Sequence, residues 1–230
     1  MAGEISTGRK SNSHPLDWCV DESWVAWQLF VALGGFAAEK AAGEAIWDPS
    51  AGSGRTLVTF AENGFRLFAS DVVNRIDASL FDPELAPAPE FFSADFTETN
   101  AAPARCSIVG NPPYSYIEGI AEAFARRALM LTTRRVCMVL PIKWLASQGR
   151  FALFAEDHPP QAVMILTQRP SMPPGDLIEA FGTKAFSGAV VDYAWFVWDV
   201  TRPTPRHETR IIWLPPLDRP ELQQAIEVLV

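Results

Sequence analysis

Short apolar runs alternate with helical stripes along most of this chain, and most runs stop at a residue that cannot continue a strand. Ala45-Ile46-Trp47 and residues 65–70, 90–93, 108–110, 136–140, 162–167 and 191–198 read as strands, several rich in β-branched or aromatic residues. Between them a helix is expected over 56–62, stopped by Asn63-Gly64. A second follows the stripe Ile117, Ile120, Phe124, Ala128 and Leu131, with Arg126 and Arg127 on other faces, and a third covers 144–156. An earlier amphipathic helix carries Trp24, Trp27, Phe30, Val31 and Leu33. It starts after Asp21-Glu22-Ser23, where an acidic or serine cap is expected, and ends near Gly34-Gly35. The proline-rich stretch 80–89 and the stretch 168–190 read as loops. Residues 211–214 suit one more strand, and 221–230 a terminal helix. This alternation predicts an α/β protein with a doubly wound, parallel sheet.

The polar groups that stand out sit at strand ends, which is where ligands bind in an open α/β sheet. The first strand runs into Asp48-Pro49-Ser50-Ala51-Gly52-Ser53-Gly54 and then a helix. Gly52 and Gly54 let the backbone approach a ligand, and the helix N-terminus points free N–H groups at it. The loop has neither the dinucleotide G-x-G-x-x-G pattern nor the Gly-Lys-Ser/Thr of a phosphate loop. A carboxylate at position 48 repels phosphate and suits a cationic ligand. The second strand ends at Asp71, 23 positions after Asp48, the distance at which an acid meets a ribose. The third ends at Asp95-Phe96. The fourth must stop at Asn111, because neither Pro112 nor Pro113 can donate to a ladder. That stop leaves a carboxamide, a carbonyl and the Tyr114 ring at the sheet edge. Taken alone, Asn-Pro-Pro is equally well a tight turn.

Three strands ending in Asp, followed by Asn111-Pro112-Pro113-Tyr114, are more specific. Asp-Pro-x-x-Gly-x-Gly followed by Asn-Pro-Pro-Tyr resembles the S-adenosylmethionine-dependent amino-methyltransferases, which modify exocyclic or amide nitrogens, chiefly N6 of adenine in DNA. The resemblance covers about residues 20–200. It implies a Rossmann-like, doubly wound, seven-stranded methyltransferase sheet, mostly parallel, with an antiparallel final strand at 191–198. It implies S-adenosylmethionine as cofactor, with Asp48, Pro49, Ser50, Gly52 and Gly54 in the binding loop. Val20-Asp21-Glu22-Ser23-Trp24 matches the segment near the cofactor's methionine end. Asp71 would meet the ribose and Val72 flank the adenine, while Asp95 binds its exocyclic amine and Phe96 stacks on it. The catalytic residues implied are Asn111, Pro112, Pro113 and Tyr114, with Asn111 also bordering the cofactor. The Asn111 side-chain oxygen and the Pro112 carbonyl would accept from the target amine, and Tyr114 would stack on a flipped base. A second supporting ring is expected from Trp144 or the 169–190 loop. That loop's start, 169–175, together with Tyr193-Ala194-Trp195-Phe196, resembles small phage and prophage methyltransferases.

Size and charge refine the picture. At 230 residues one domain is expected: a disordered tail over 1–19, a methyltransferase domain over 20–200 with a 169–190 insertion, and a C-terminal extension over 201–230. No separate target-recognition domain is expected to fit. Cys19, Cys106 and Cys137 lack metal spacing, and Cys137 lies in an apolar run, so neither a metal site nor a disulfide framework is expected. With no membrane-length apolar run and no signal-peptide core, the cytoplasm is the expected compartment. The net charge of −8 argues against strong non-specific DNA binding. Residues 111–190 nevertheless carry 8 basic against 6 acidic groups, while 41–110 carry 4 against 10. This asymmetry is compatible with a polyanion but does not show one; nucleic acid is the partner that the resemblance implies, expected on a side that includes Lys143, Arg169 and Lys184. Two other acceptors suit the motif, a protein glutamine amide and an RNA adenine, and a cofactor-binding protein without turnover is a further alternative.

Overall fold

The computed structural model describes residues 18–114, 118–186 and 189–217. Most of the expected N-terminal tail, Ile117 and the expected helix at 221–230 lie outside the described residues. The described chain folds around one sheet of eight strands in the order β3-β2-β1-β4-β5-β7-β6-β8. These are β1 Ala45–Asp48, β2 Leu67–Asp71, β3 Glu90–Ser93, β4 Cys106–Gly110, β5 Arg135–Pro141, β6 Ala162–Leu166, β7 Tyr193–Asp199 and β8 Arg210–Leu214. Strands β1 to β5 pair in parallel, β7 runs antiparallel between β5 and β6, and β8 pairs parallel with β6. The doubly wound sheet and the antiparallel insertion match the expectation. The further strand expected at 211–214 is β8, which joins the same sheet beside β6 and brings it to eight strands.

Alternation along each strand splits the core into two layers. On one face Ile46, Leu67, Ala69, Val109, Val139 and Trp195 pack under the helices α1 Ser23–Ala32 and α3 Arg55–Glu62, beside the short α2 Ala37–Ala41. On the other, Trp47, Ile108, Val136, Met138 and Phe196 pack against α4 Ile120–Leu131 and the aromatic side chains Phe96 and Trp144. Cys137 is fully buried, as its apolar surroundings suggest.

Three local expectations need correction. The face of α1 that is buried carries Val25, Ala26, Gln28, Leu29 and Phe30, while Trp24, Trp27 and Val31 are half-buried. Glu22 does not cap this helix; its carboxylate accepts the Ser171 backbone N–H at 2.7 Å instead. The expected helix at 144–156 is broken into 3-10 turns and one π turn. Ala146 and Ser147 adopt extended angles that bring Arg150 back onto Trp144. There the Arg150 Nε donates to the Trp144 carbonyl at 2.8 Å and its guanidinium lies over the ring. Finally, the 168–190 stretch is not all loop. It holds α5 Gly175–Phe181 and a 3-10 turn at Gly182–Ala185. Two turns of helix between Pro174 and Gly182 are too short to show a period.

Candidate active site at the strand ends

The carboxyl ends of β1, β2 and β4 converge, and the segment before α1 lies across them. Asp48, the last residue of β1, is buried; its Oδ1 accepts the Ser50 backbone N–H at 3.0 Å and lies 3.4 Å from the Ser50 hydroxyl. The Ser50 hydroxyl also donates to the Asn111 carbonyl at 3.1 Å, tying the glycine loop to the end of β4. Room for the Asp48 carboxylate comes from Gly110, where a Cβ would stand 2.4 Å from Asp48 Oδ1. Pro49 and Pro112 are buried and Pro113 is half-buried beside them. Gly52 and Gly54 both take left-handed backbone angles, as the turn into α3 requires. The Gly52 N–H donates to Asp71 Oδ2 at 3.0 Å, while Arg75 stands 3.9 Å from Asp71 Oδ1. The acid expected at the ribose therefore already braces the loop.

Asn111 shows the most informative geometry. Its Nδ2 donates to Asp21 Oδ1 at 2.7 Å and lies 3.7 Å from the Met172 sulfur. Its Oδ1 is buried with no hydrogen-bond partner among the described residues. A buried acceptor left empty is uncommon in native structures and points to a group that arrives later. Asp21 accepts from Thr56 Oγ1 at 3.2 Å through its other oxygen. Tyr114 is half-buried against both core layers, and its hydroxyl lies 2.7 Å from that of Tyr193, the first residue of β7.

Burial dominates the electrostatics. It pushes the Asp48 carboxyl up to about 8, against the opposing Ser50 N–H bond and helped by Asp21 and Asp71 nearby. It raises Asp21 to about 6, partly countered by the bonds from Asn111 and Thr56 and by Arg55. A buried carboxyl that ionises poorly without a cation, as Asp48 does, suits a positively charged ligand. The raised values also predict a pH dependence. Between the ordinary 3.8 and about 8, folded Asp48 retains a proton that the unfolded chain has released. Its contribution therefore falls as pH rises through that window and levels off above it. Denaturation of wild type and Asp48→Asn at several pH values should show their stability difference moving against wild type from pH 5 to 8. A difference independent of pH would refute this.

The other expected site residues fall into three groups. Val72 is exposed at the end of β2, its carbonyl accepting from Ser93 Oγ at 3.3 Å, and Trp24 is half-buried on the first turn of α1. Asp95 is exposed, and its Oδ1 accepts from the Thr97 N–H at 2.9 Å and from Thr97 Oγ1 at 2.6 Å, capping a 3-10 turn. Two aromatic residues need correction: Phe96 and Trp144 are not open rings. Phe96 is buried between Trp47 and Phe124, and Trp144 packs edge-on to Phe154 and Phe196. Both rings fill the core layer around α4, because large aromatics bury most of their area when neighbouring apolar surface is available. The expected basic side is also weaker than the sequence count suggests. Arg134 and Arg135 bind the buried Glu44 and Glu39, Arg126 binds Glu122 and Asp157, and Arg169 binds Asp192 at 2.6 Å. Lys143 and Lys184 are exposed, and among the described residues no ion pair involves either.

Trp18, Asp21 and Met172 are parts of the site that the motifs do not mark. Residues 18–20 run beside 173–175, with the Gly175 N–H donating to the Trp18 carbonyl at 2.8 Å and the Val20 N–H to the Pro173 carbonyl at 2.9 Å. The Trp18 indole lies on both Gly175 and Gly52, so this strap covers the glycine loop. Asp21 is signalled by its place directly before an amphipathic helix, which reads equally as a cap, and as one residue of the segment Val20-Asp21-Glu22-Ser23-Trp24, neither of which points to Asn111.

No match to a protein-family model or to a curated protein emerges from the sequence. Solved structures do match. The type IIG restriction endonuclease BpuSI superposes with a TM-score of 0.56 at 17% identity over 90% of this chain. DrdV in its cryo-EM complex with DNA gives 0.55 at 14% over 91%. Atu636 from Agrobacterium tumefaciens, a predicted O-methyltransferase, gives 0.51 at 14% over 80% of this chain and 89% of its own. The fold is that of a class I methyltransferase. The chain spans only 28% of the length of BpuSI and of DrdV. Among the described residues of this methyltransferase fold, no group of His, Cys, Asp and Glu could hold a metal ion. No described helix is long and apolar enough to cross a membrane.

Proposed function

We propose that this chain is an S-adenosylmethionine-dependent methyltransferase acting on an exocyclic amino nitrogen, with N6 of adenine in DNA as the favoured acceptor. The observation that carries this reading is the Asn111 carboxamide, whose buried oxygen has no partner among the described residues while its nitrogen is held. The fold and the buried Asp48 support it, since the cofactor is cationic and binds beyond the strand ends of such sheets.

The cofactor supplies an electrophilic methyl group on a sulfonium. The chain's residues fit it: Asp48 offers a carboxylate to its positive charge, and Gly52 and Gly54 permit close backbone approach. Asp71, Val72 and Asp95 lie on the adjoining ends of β2 and β3. Asn111 and Pro112 act on the acceptor. An aromatic amine is a poor nucleophile because its lone pair is delocalised into the ring. Acceptors on its two N–H bonds, Asn111 Oδ1 and the Pro112 carbonyl, draw the nitrogen towards tetrahedral geometry and expose the pair. Positioning and electrostatic support then lower the barrier without a strong base. Tyr114 stacks on the base, its ring steadied by Tyr193.

The test is incubation with labelled cofactor and separate DNA, RNA and protein acceptors, followed by mass analysis of the modified nucleoside or residue. N6-methyladenine in DNA is the expected product. A methylated glutamine is the second reading, favoured by the net charge of −8 and by the pairing of Arg134 and Arg135 with the buried Glu44 and Glu39. Cofactor binding with no transfer to any acceptor would overturn the enzymatic reading.

Nucleic acid is expected on the edge carrying Lys143, Arg169 and Lys184. Lys143 follows β5, and the Ile142 N–H donates to the carbonyl of Asp192, the partner of Arg169. Oligonucleotide affinity should fall with salt, with a log–log slope of about −0.7 per phosphate neutralised for single strands. Neutralising all three residues should flatten that slope. An unchanged slope would remove this surface.

A further inference from the structure

We propose that Asp21 is the positioning residue of this site, its carboxylate setting which end of the Asn111 carboxamide is offered to the substrate amine. This inference rests on the reading of Asn111 given above and adds a residue that the motifs do not include.

The argument starts from the two ends of a carboxamide, one a donor and the other an acceptor, similar enough in shape to exchange by a half-turn. Only the orientation with Oδ1 free accepts from an amine. Asn111 Nδ2 lies 2.7 Å from Asp21 Oδ1. An ionised carboxylate can only accept, so the flipped amide would set two acceptors against each other at that distance. The carboxylate is itself fixed, because its second oxygen accepts from Thr56 Oγ1 at 3.2 Å and the residue is 7% exposed. The Asn111 backbone is held separately by Ser50 Oγ at 3.1 Å. Main chain and side chain are thus pinned by different elements, and the atom left without a partner among the described residues is Oδ1.

A consequence follows for pH. Protonated Asp21 gains a donor and tolerates either orientation of Asn111. The charged and polar groups bearing on Asp21 are Arg55 and Thr56 of α3, Asn111 after β4, and Asp48 at the end of β1, with Glu22 adjacent in the chain. Glu22 accepts from the Ser171 N–H and so is directed towards the strap.

The experiment compares wild type, Asp21→Asn and Asn111→Ala. The first readout needs no substrate and no cofactor. The Asn111 side-chain NH2 resonance, assigned by its loss in Asn111→Ala, should shift with pH around a midpoint near 6 in wild type and lose that titration in Asp21→Asn. The second readout is the single-turnover rate with S-adenosylmethionine and an adenine-containing oligonucleotide. Asp21→Asn, nearly isosteric, should fold and should slow methyl transfer by about tenfold, less than loss of Asn111 itself. It should also remove the acid limb of the rate profile and leave cofactor affinity within about threefold. The same midpoint in Asp21→Asn, or a wild-type rate and pH profile in that variant, would overturn the proposal. So would a cofactor affinity reduced tenfold or more at an unchanged rate, which would make Asp21 a cofactor ligand instead. If wild type methylates no acceptor, the proposed function fails, while the resonance titration still decides the role of Asp21.

Discussion

Asn111→Ala is expected to lower the single-turnover rate of methyl transfer by about 10²–10³ while leaving cofactor affinity within a few-fold of wild type. The substitution removes Oδ1, the buried acceptor without a partner among the described residues, and leaves the Pro112 carbonyl as the remaining acceptor. It also unpairs Asp21 Oδ1, which should cost about 1–3 kcal/mol of stability. Thermal melts must therefore accompany the rates. If Asn-Pro-Pro-Tyr only shapes a turn, activity should fall in proportion to the folded fraction and no further. A folded Asn111→Ala protein that methylates at a near-normal rate would end the catalytic assignment. Tyr114 provides the contrast. Tyr114→Ala should weaken stacking of the base by about 1–3 kcal/mol. Tyr114→Phe keeps the ring and loses only the contact with the Tyr193 hydroxyl, and should retain most activity.

Gly110→Ala is expected to damage the cofactor side while leaving every motif residue unchanged in the sequence. The added Cβ would stand 2.4 Å from Asp48 Oδ1 and 2.9 Å from its Cγ, both closer than atoms can pack. The carboxylate cannot retreat freely, since Asp48 is buried and anchored by the Ser50 N–H. Either that bond breaks or β4 separates from β1. Overpacking of this kind costs about 1–3 kcal/mol. Displacement of the one buried acid in the glycine loop should also weaken cofactor binding at least tenfold, about 1.4 kcal/mol. Gly149→Ala is the control, because its Cβ would meet nothing closer than the Ser147 hydroxyl at 3.6 Å. Calorimetry and denaturant melts on the two variants check the prediction. Unchanged stability and affinity in Gly110→Ala would show that Asp48 has room to move and no role in binding.

Much of the architecture was legible along the chain because its cues are local. Strand residues at Ala45–Asp48, Leu67–Asp71 and Arg135–Pro141 are apolar, and their stops are prolines or acids within a few positions. The glycine loop and Asn111-Pro112-Pro113-Tyr114 declare a backbone geometry through residue type alone. From these, the doubly wound sheet and the edge on which the site lies follow without coordinates.

The tertiary structure decided what depends on contacts between distant segments. A ring's accessibility is set by its neighbours, so Phe96 and Trp144, adjacent to the motif strands in sequence, turned into core. Arginines that look like a polyanion surface are largely consumed by acids up to 96 positions away, as Arg135 is by Glu39. The strap from Trp18 to Gly175, and the bond from Asp21 to Asn111 across 90 positions, leave no trace in periodicity. Hydrophobic pattern and turn chemistry act over one element, whereas hydrogen-bond partners and burial belong to whichever elements the fold brings together. The sequence therefore determined which edge of the sheet carries the candidate site, and the packing decided which of its groups are buried, paired or exposed there.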